Sequence, residues 1–344
     1  MAIELSNIIF TDQADIVPLS WVEEIVNTGF VNTLAGNDVI IGTGGYYYYG
    51  FENVGALNTD DGNDTITGTG IGYGIVNVGV ISTGNGEDSI ISQGEFVNAY
   101  NELPVNSWVS LGDGNDIISS TSVIYNASTI NTGNGEDSII SHGKLSNSGG
   151  VFLEEGNDSI IVDIVVDTDF PNFVLENFNV IETGDGNDTI TSTGIIYNEG
   201  VINTGNGEDS IIVDGGVDGT GTGYGILNAG GIINTGNGND SIITNEGFES
   251  AGLNGNGSVF LGNDEDYIKG FGSGGFSGGN GTDTLELTSG IYTVGIWDTS
   301  VSFIKGDRVM ITSGFEKLLA GGTVYDFTSL TPGQVILAFF RHEI

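Results

Sequence analysis

Eleven aspartates stand in one repeated setting. Asp38, Asp64, Asp88, Asp116, Asp137, Asp158, Asp188, Asp209, Asp240, Asp266 and Asp283 each close a loop that matches, or closely copies, the form Thr/Leu-Gly-x-Gly-x-Asp. Each is followed two places later by an apolar residue, from Ile40 to Ile268 and then Leu285. Thr132-Gly-Asn-Gly-Glu-Asp-Ser-Ile-Ile140 shows the whole unit. Glycine reaches positive φ without a Cβ clash. Two glycines, four and two residues before the carboxylate, therefore let the backbone turn its carbonyls inward beside it. Carbonyls plus carboxylate make a hard-oxygen donor set. It suits Ca2+, which takes roughly 6–8 oxygens at about 2.3–2.6 Å. The chain has no cysteine, and its two histidines, His142 and His342, stand alone. A softer metal has no ligand set here.

A unit that recurs this often is read as a stacked repeat. Seven residues before each of the first ten aspartates is an apolar residue: Val31, Leu57, Ile81, Val109, Ile130, Val151, Ile181, Ile202, Ile233 and Val259. Ten to twelve residues before is an asparagine: Asn27, Asn53, Asn77, Asn106, Asn126, Asn147, Asn177, Asn198, Asn228 and Asn254. A segment such as Tyr125-Asn-Ala-Ser-Thr-Ile-Asn-Thr-Gly133 reads as strand, asparagine turn, strand, glycine loop. Stacked asparagines pair their amides from coil to coil. The threonines Thr33, Thr59, Thr83, Thr132, Thr183, Thr204 and Thr235 share the strand parity of the apolar residue two places earlier, so they are expected to point inward. The distance from an aspartate to the next asparagine varies from 10 to 19 residues, whereas that from asparagine to aspartate stays at 10–12. Insertions are thus expected on one arc of the coil, the arc holding Tyr46–Tyr49, Phe96, Tyr100, Phe170 and Phe173. Those aromatics either cover the coil flank or stack on sugars or a partner.

The loop pattern resembles the RTX, or haemolysin-type, calcium-binding repeat Gly-Gly-x-Gly-x-Asp-x-apolar-x, matched most fully by Gly278-Gly-Asn-Gly-Thr-Asp-Thr-Leu-Glu286. The resemblance covers roughly residues 34 to 286. It implies Ca2+ between the loops of successive coils of a parallel β-roll, a role that falls on the eleven aspartates. The chain departs from the family's 9-residue period: its aspartates lie 26, 24, 28, 21, 21, 30, 21, 31, 26 and 17 residues apart. Most coils are therefore larger, with a loop on one side only. Leu34, Asp60 and Glu154 stand where the second glycine belongs, and Asp264 where the third does.

Charge supports the same chemistry. The formal net charge is −40 over 344 residues, and residues 1–268 hold 39 acidic side chains against Lys144 alone. Carboxylates on adjacent coils, about 4.8 Å apart, repel by about 3 kcal/mol at an effective dielectric near 20. An external cation relieves this at neutral pH. The bland alternative is a solvated acidic surface that keeps the protein soluble. The same charge argues against nucleic acid or an anionic membrane as partner.

These readings lead to an all-β chain: a parallel β-solenoid, an RTX-like β-roll or β-helix, of about ten or eleven coils with terminal caps. Residues 1–22 are expected to form an N-terminal cap, 23–287 the calcium-binding coils, and 288–344 a C-terminal β cap. The start of the chain lacks the basic residues and apolar run of a cleavable secretory signal, and no run has transmembrane length. The resemblance implies an uncleaved C-terminal export signal of the type I kind, with which the tail Val335-Ile-Leu-Ala-Phe-Phe340 is compatible. The expected function is a secreted, calcium-stabilised structural protein of the cell surface or extracellular matrix, partnered by Ca2+ and by cell-surface polysaccharide or its own copies. The alternatives are an adhesin, an ice- or polysaccharide-binding module, and a polysaccharide lyase or epimerase. The last needs a base and a charge neutraliser, and residues 1–268 hold almost no Lys, Arg or His; the chain is expected not to be an enzyme.

Overall fold

The structure, a computed structural model, describes residues 2–18, 24–44, 49–99, 107–164, 173–217, 223–249 and 257–339. Tyr46, Tyr100, Phe170, Asn106 and Asn254 lie outside them. The chain divides into two compact units, Met1–Val165 with Asn179–Gly184, and Val166–Phe178 with Asp185–Ile344. Six of the aspartate loops fall in the first and five in the second. Among the described residues both units are β structure, with two short 3-10 turns at Leu5–Asn7 and Phe327–Ser329. Both are stacks of coils, the parallel β-solenoid expected from the repeat.

One coil of the first unit shows why. Ser138–Ser141 follows Asp137, and its alternation places Ile139 and Ser141 inside. Leu145–Asn147 follows in the same sheet, then the asparagine turn, then Gly150–Phe152 in the opposite sheet. A glycine loop closes the coil at Asp158. Every strand pairs in parallel with its counterparts, column on column: Ile118 with Ile139, Ile139 with Ile160, Ile130 with Val151. In the second unit Ser210–Val213, Ile226–Asn228 and Ile232–Asn237 repeat the plan. Parallel pairing in exact column is what equal-length arcs produce, because a one-residue slip would turn every Ile outward.

The ten apolar residues placed seven before an aspartate are all buried, and so are Thr33, Thr59, Thr83, Thr132, Thr183, Thr204 and Thr235. The threonine column therefore presents no face to solvent. The asparagines form the expected ladder. In the first unit each Nδ2 donates to the next Oδ1, from Asn27 through Asn53 and Asn77 (2.8 and 2.7 Å) to Asn98 and on to Asn126 and Asn147 (2.9, 2.8 and 2.9 Å). In the second the ladder runs Asn177, Asn198, Asn228, at 2.9 Å each.

One rung corrects the sequence reading. Asn98, not Asn106, continues the ladder above Asn77. Val80, three residues after Asn77, pairs with Trp108, ten after Asn98. The extra residues of this coil therefore fall after the asparagine in sequence, so insertions are not confined to a single arc. The physical reason is that the ladder needs an asparagine in register with Asn77 and Asn126, and only Asn98 pairs with both. Phe96, grouped with the surface aromatics in sequence, is fully buried in the core. Phe173 packs at the flank against Tyr197, ring centres 5.1 Å apart.

At the chain's start, Ile3–Glu4 and Ile16–Val17 pair in parallel with Ile25–Asn27 and Val39–Thr43. Near its end the coils give way to antiparallel strands: Gly290–Trp297 lies between Ser300–Lys305 and Val335–Ala338.

Candidate metal site: the aspartate column

The glycine loops sit where a strand of one sheet crosses to the other, and their backbone explains the choice of residue. The glycines two before the aspartates have φ between 124° and 155°, for example Gly135 at 144°. A Cβ on Gly135 would lie 1.6 Å from the carbonyl oxygen of Gly114 in the neighbouring coil. The loops thus stack glycine on carbonyl, with Gly86, Gly114 and Gly135 N–H groups donating to Asp113, Asn134 and Glu155 carbonyls at 2.8, 2.8 and 2.6 Å. The four departures from glycine stay at positive φ. Leu34, Asp60, Glu154 and Asp264 take φ of 68°, 60°, 73° and 88°, left-handed values that cost a residue with a Cβ about 1–2 kcal/mol.

Each loop delivers its aspartate to the corner of the coil. All eleven, Asp38 to Asp283, are 98 % or more buried. Within each unit they form a column joined by one repeated bond: the N–H of one aspartate donates to Oδ1 of the next. In the first unit the bonds run from Asp38 through Asp64, Asp88, Asp116 and Asp137 to Asp158, at 2.7–2.8 Å. In the second they run from Asp188 through Asp209, Asp240 and Asp266 to Asp283, at 2.9–3.0 Å.

The other carboxylate oxygen is bare. Oδ2 of every one of the eleven is buried and has no hydrogen-bond partner. The nearest donors are committed elsewhere: Thr59, Thr83, Thr204 and Thr235 give their single hydroxyl hydrogen to the carbonyl of the neighbouring coil, at 2.8–3.1 Å. They relieve an aspartate only by turning away from that carbonyl. Thr132, which gives its hydroxyl to no carbonyl, is placed to serve Asp137 and opposes the effect of burial there.

Burial makes the charged form costly. It raises Asp64, Asp116, Asp209 and Asp266 to about 7, against the accepted N–H bond and, at Asp64 and Asp209, the nearby Thr59 and Thr204 hydroxyls, with neighbouring aspartates adding to the rise. Burial also raises Asp240 and Asp283 to about 6 and pushes up Asp88 and Asp137. An ionised carboxylate with one oxygen buried and unpartnered calls for a proton or a cation.

The donor set fits a hard cation. A column of bare carboxylate oxygens lies beside a backbone cradle that admits no Cβ. Among the described residues no three His, Cys, Asp or Glu side chains converge on one point. A cation here would be held by aspartates from successive coils together with loop carbonyls, an all-oxygen shell of the kind Ca2+ accepts and Zn2+ does not favour.

Two residues that the motif missed extend the column. Asp15 donates its N–H to Asp38 Oδ1 at 2.8 Å, and Asp283 donates its N–H to Glu316 Oε2 at 2.9 Å. Ile16 pairs with Val39 and Lys317 with Thr284, so both acids occupy the aspartate register. The signals were present: Asp15-Ile-Val17 and Gly314-Phe-Glu-Lys-Leu318 keep the acid and the apolar residue two places on, but lack the paired glycines. His142 plays no part here; its Nδ1 meets Asp163 Oδ1 at 2.6 Å on the surface.

Neither a protein-family model nor a curated protein matches the chain. Among solved structures it is similar to a hyperactive, Ca2+-dependent, β-helical antifreeze protein from an Antarctic bacterium, with 20% identity, 81% of this chain and 78% of that chain covered, and a TM-score of 0.46.

Proposed function

We propose that this chain is a calcium-binding β-solenoid with a structural role outside the cell, folded by the ions it binds. The observation that carries the reading is the column of eleven buried Oδ2 atoms without partners. Asp38, Asp64, Asp88, Asp116, Asp137, Asp158, Asp188, Asp209, Asp240, Asp266 and Asp283 would hold Ca2+ with their loop carbonyls. Bound there, Ca2+ supplies charge neutralisation and the missing partners of the bare oxygens. The aspartates' own part is to fix the coil spacing through the N–H to Oδ1 bonds. The glycines' part is to bring carbonyls close without a Cβ. Extracellular Ca2+ is plentiful and cytosolic Ca2+ scarce, so such a chain stays unfolded until exported. Elemental analysis after gel filtration in Ca2+ is expected to find several ions per chain, and about one fewer in Asp137→Ala. A chain that elutes without Ca2+ would overturn the reading.

A second reading, a polysaccharide-binding surface, is favoured by a groove of about 350 Å3 on the first unit. Its walls are the half-exposed rings of Tyr73 and Tyr125; Glu95, Ser146 and Ser148 supply polar groups. Titration calorimetry with acidic and neutral oligosaccharides on wild type and Tyr125→Ala tests it; no heat with any sugar removes it.

A further inference from the structure

The second unit carries an uncharged, aliphatic sheet face that the aspartate column does not explain. Register fixes which residues share it. Ile291 is opposite Leu337, and Thr293 is opposite both Val335 and Ile304. Ile304 is in turn opposite Val309, and Ser302 is opposite Ile311. Directly opposed residues of antiparallel strands point to one side. The intervening Tyr292, Val294, Phe303, Met310 and Ile336 are buried on the other. Four adjacent strands thus present Ile291, Ile304, Val309, Ile311, Val335 and Leu337 around Thr293. Ile291, Val335 and Leu337 are 55%, 56% and 54% exposed. Among the described residues of these four strands and their turns, charged side chains lie at the ends: Asp298 at one, and Asp307 with the strand-end pair Lys305 and Arg308 at the other, where Lys305 donates to the Ser289 carbonyl and Arg308 meets Glu249.

We propose that this face is where two copies of the chain meet, sheet against sheet, about a two-fold axis. The choice of partner follows from charge. Residues 1–268 carry −38, so most of the chain repels its own kind. Residues 288–344 hold five acids against Lys305, Arg308, Lys317 and Arg341, close to neutral. This face is therefore where a second copy can approach without like-charge opposition. A contact that is the same patch on both copies closes on itself and stops at two. Four strands at about 4.8 Å by six residues at about 3.4 Å make roughly 400 Å2 per copy, about 800 Å2 in all. That is the low end for a specific interface, so the dimer is weak and concentration-dependent.

Sedimentation velocity of the Ca2+-loaded full chain over a wide concentration range tests this. The expected result is a shift from monomer to dimer mass as concentration rises, larger in moderate salt, which screens the net charge. Thr293→Arg, which sets a charge in the centre of each face, is expected to hold the chain monomeric with an unchanged circular dichroism spectrum. Val335→Lys serves as a second variant should the first misfold. A wild type that stays monomeric at the highest concentration, or a dimer untouched by both central substitutions, overturns the proposal. So does growth beyond dimer mass, or partition of the monomer onto neutral lipid vesicles instead of self-association.

Discussion

A carboxylate whose first oxygen holds a neighbour's N–H and whose second oxygen holds nothing is poised between two fates. Without a cation, a proton can neutralise the carboxylate. Burial raises the folded-state values of Asp64, Asp116, Asp209 and Asp266 from the ordinary 3.8 to about 7. The folded chain therefore binds more protons than the unfolded one between those values. Stability from these groups is fully present below about pH 4 and is lost as pH rises through about 7. The expected outcome runs against the usual acid denaturation: metal-free protein gains β signal when taken from about pH 8 to about pH 5. Circular dichroism in metal-stripped buffer measures it. Metal-free protein equally folded at both pH values would show that the bare oxygens are satisfied some other way.

At the scale of the element, the coil is held at two corners by two different ladders. The asparagine ladder is internal and neutral. Asn126 Nδ2 donates to Asn147 Oδ1 and to the Gly150 carbonyl, and its Oδ1 accepts from Asn98. Asn126→Ala leaves a buried amide and buried acceptors unpaired, and is expected to cost about 3 kcal/mol. Asn134, on the exposed rim, donates to Asp113 Oδ1 at 2.8 Å; Asn134→Ala is expected to change stability by less than about 0.5 kcal/mol. Thermal melts of the Ca2+-loaded variants compare them. Equal losses would mean that the buried ladder contributes no more than surface amides do. The asparagine motif was legible in the sequence because it recurs at a narrow distance from the loop aspartate. It misled at Asn106 because a second asparagine, Asn98, lay upstream, and only strand register decides which of two stands above Asn77.

For the whole molecule the governing quantity is net charge. With −38 on residues 1–268 and one lysine among them, the ordinary means of balancing a buried carboxylate, a partner Lys or Arg, is missing. On the calcium-binding reading proposed above, metal binding free energy is folding free energy. Titration with Ca2+ is expected to give a cooperative gain of β signal at about millimolar Ca2+, reversed by chelator. Asp137→Ala should need more Ca2+ for the same signal, and monovalent salt of equal ionic strength should not replace it. A β spectrum indifferent to chelator at neutral pH would sink the folding switch.

The sequence alone determined the repeat, the solenoid and the eleven aspartates, because each depends on local pattern. Positive φ needs glycine, a two-residue strand period sorts inward from outward, and stacked identical residues pair in register. It also placed the threonine column inside. Tertiary structure decided what pattern cannot encode. That Oδ1 of each aspartate is bonded while Oδ2 is bare depends on where the neighbouring coil's N–H points. That Leu34, Asp60, Glu154 and Asp264 stay at positive φ depends on stacked loops on either side imposing it. Asp15 and Glu316 joined the column only once Ile16 and Lys317 were seen paired with Val39 and Thr284. The aliphatic face of the last strands emerged the same way: its residues come from four segments between Ile291 and Leu337, and antiparallel pairing, a relation between distant parts of the chain, brings them to one side.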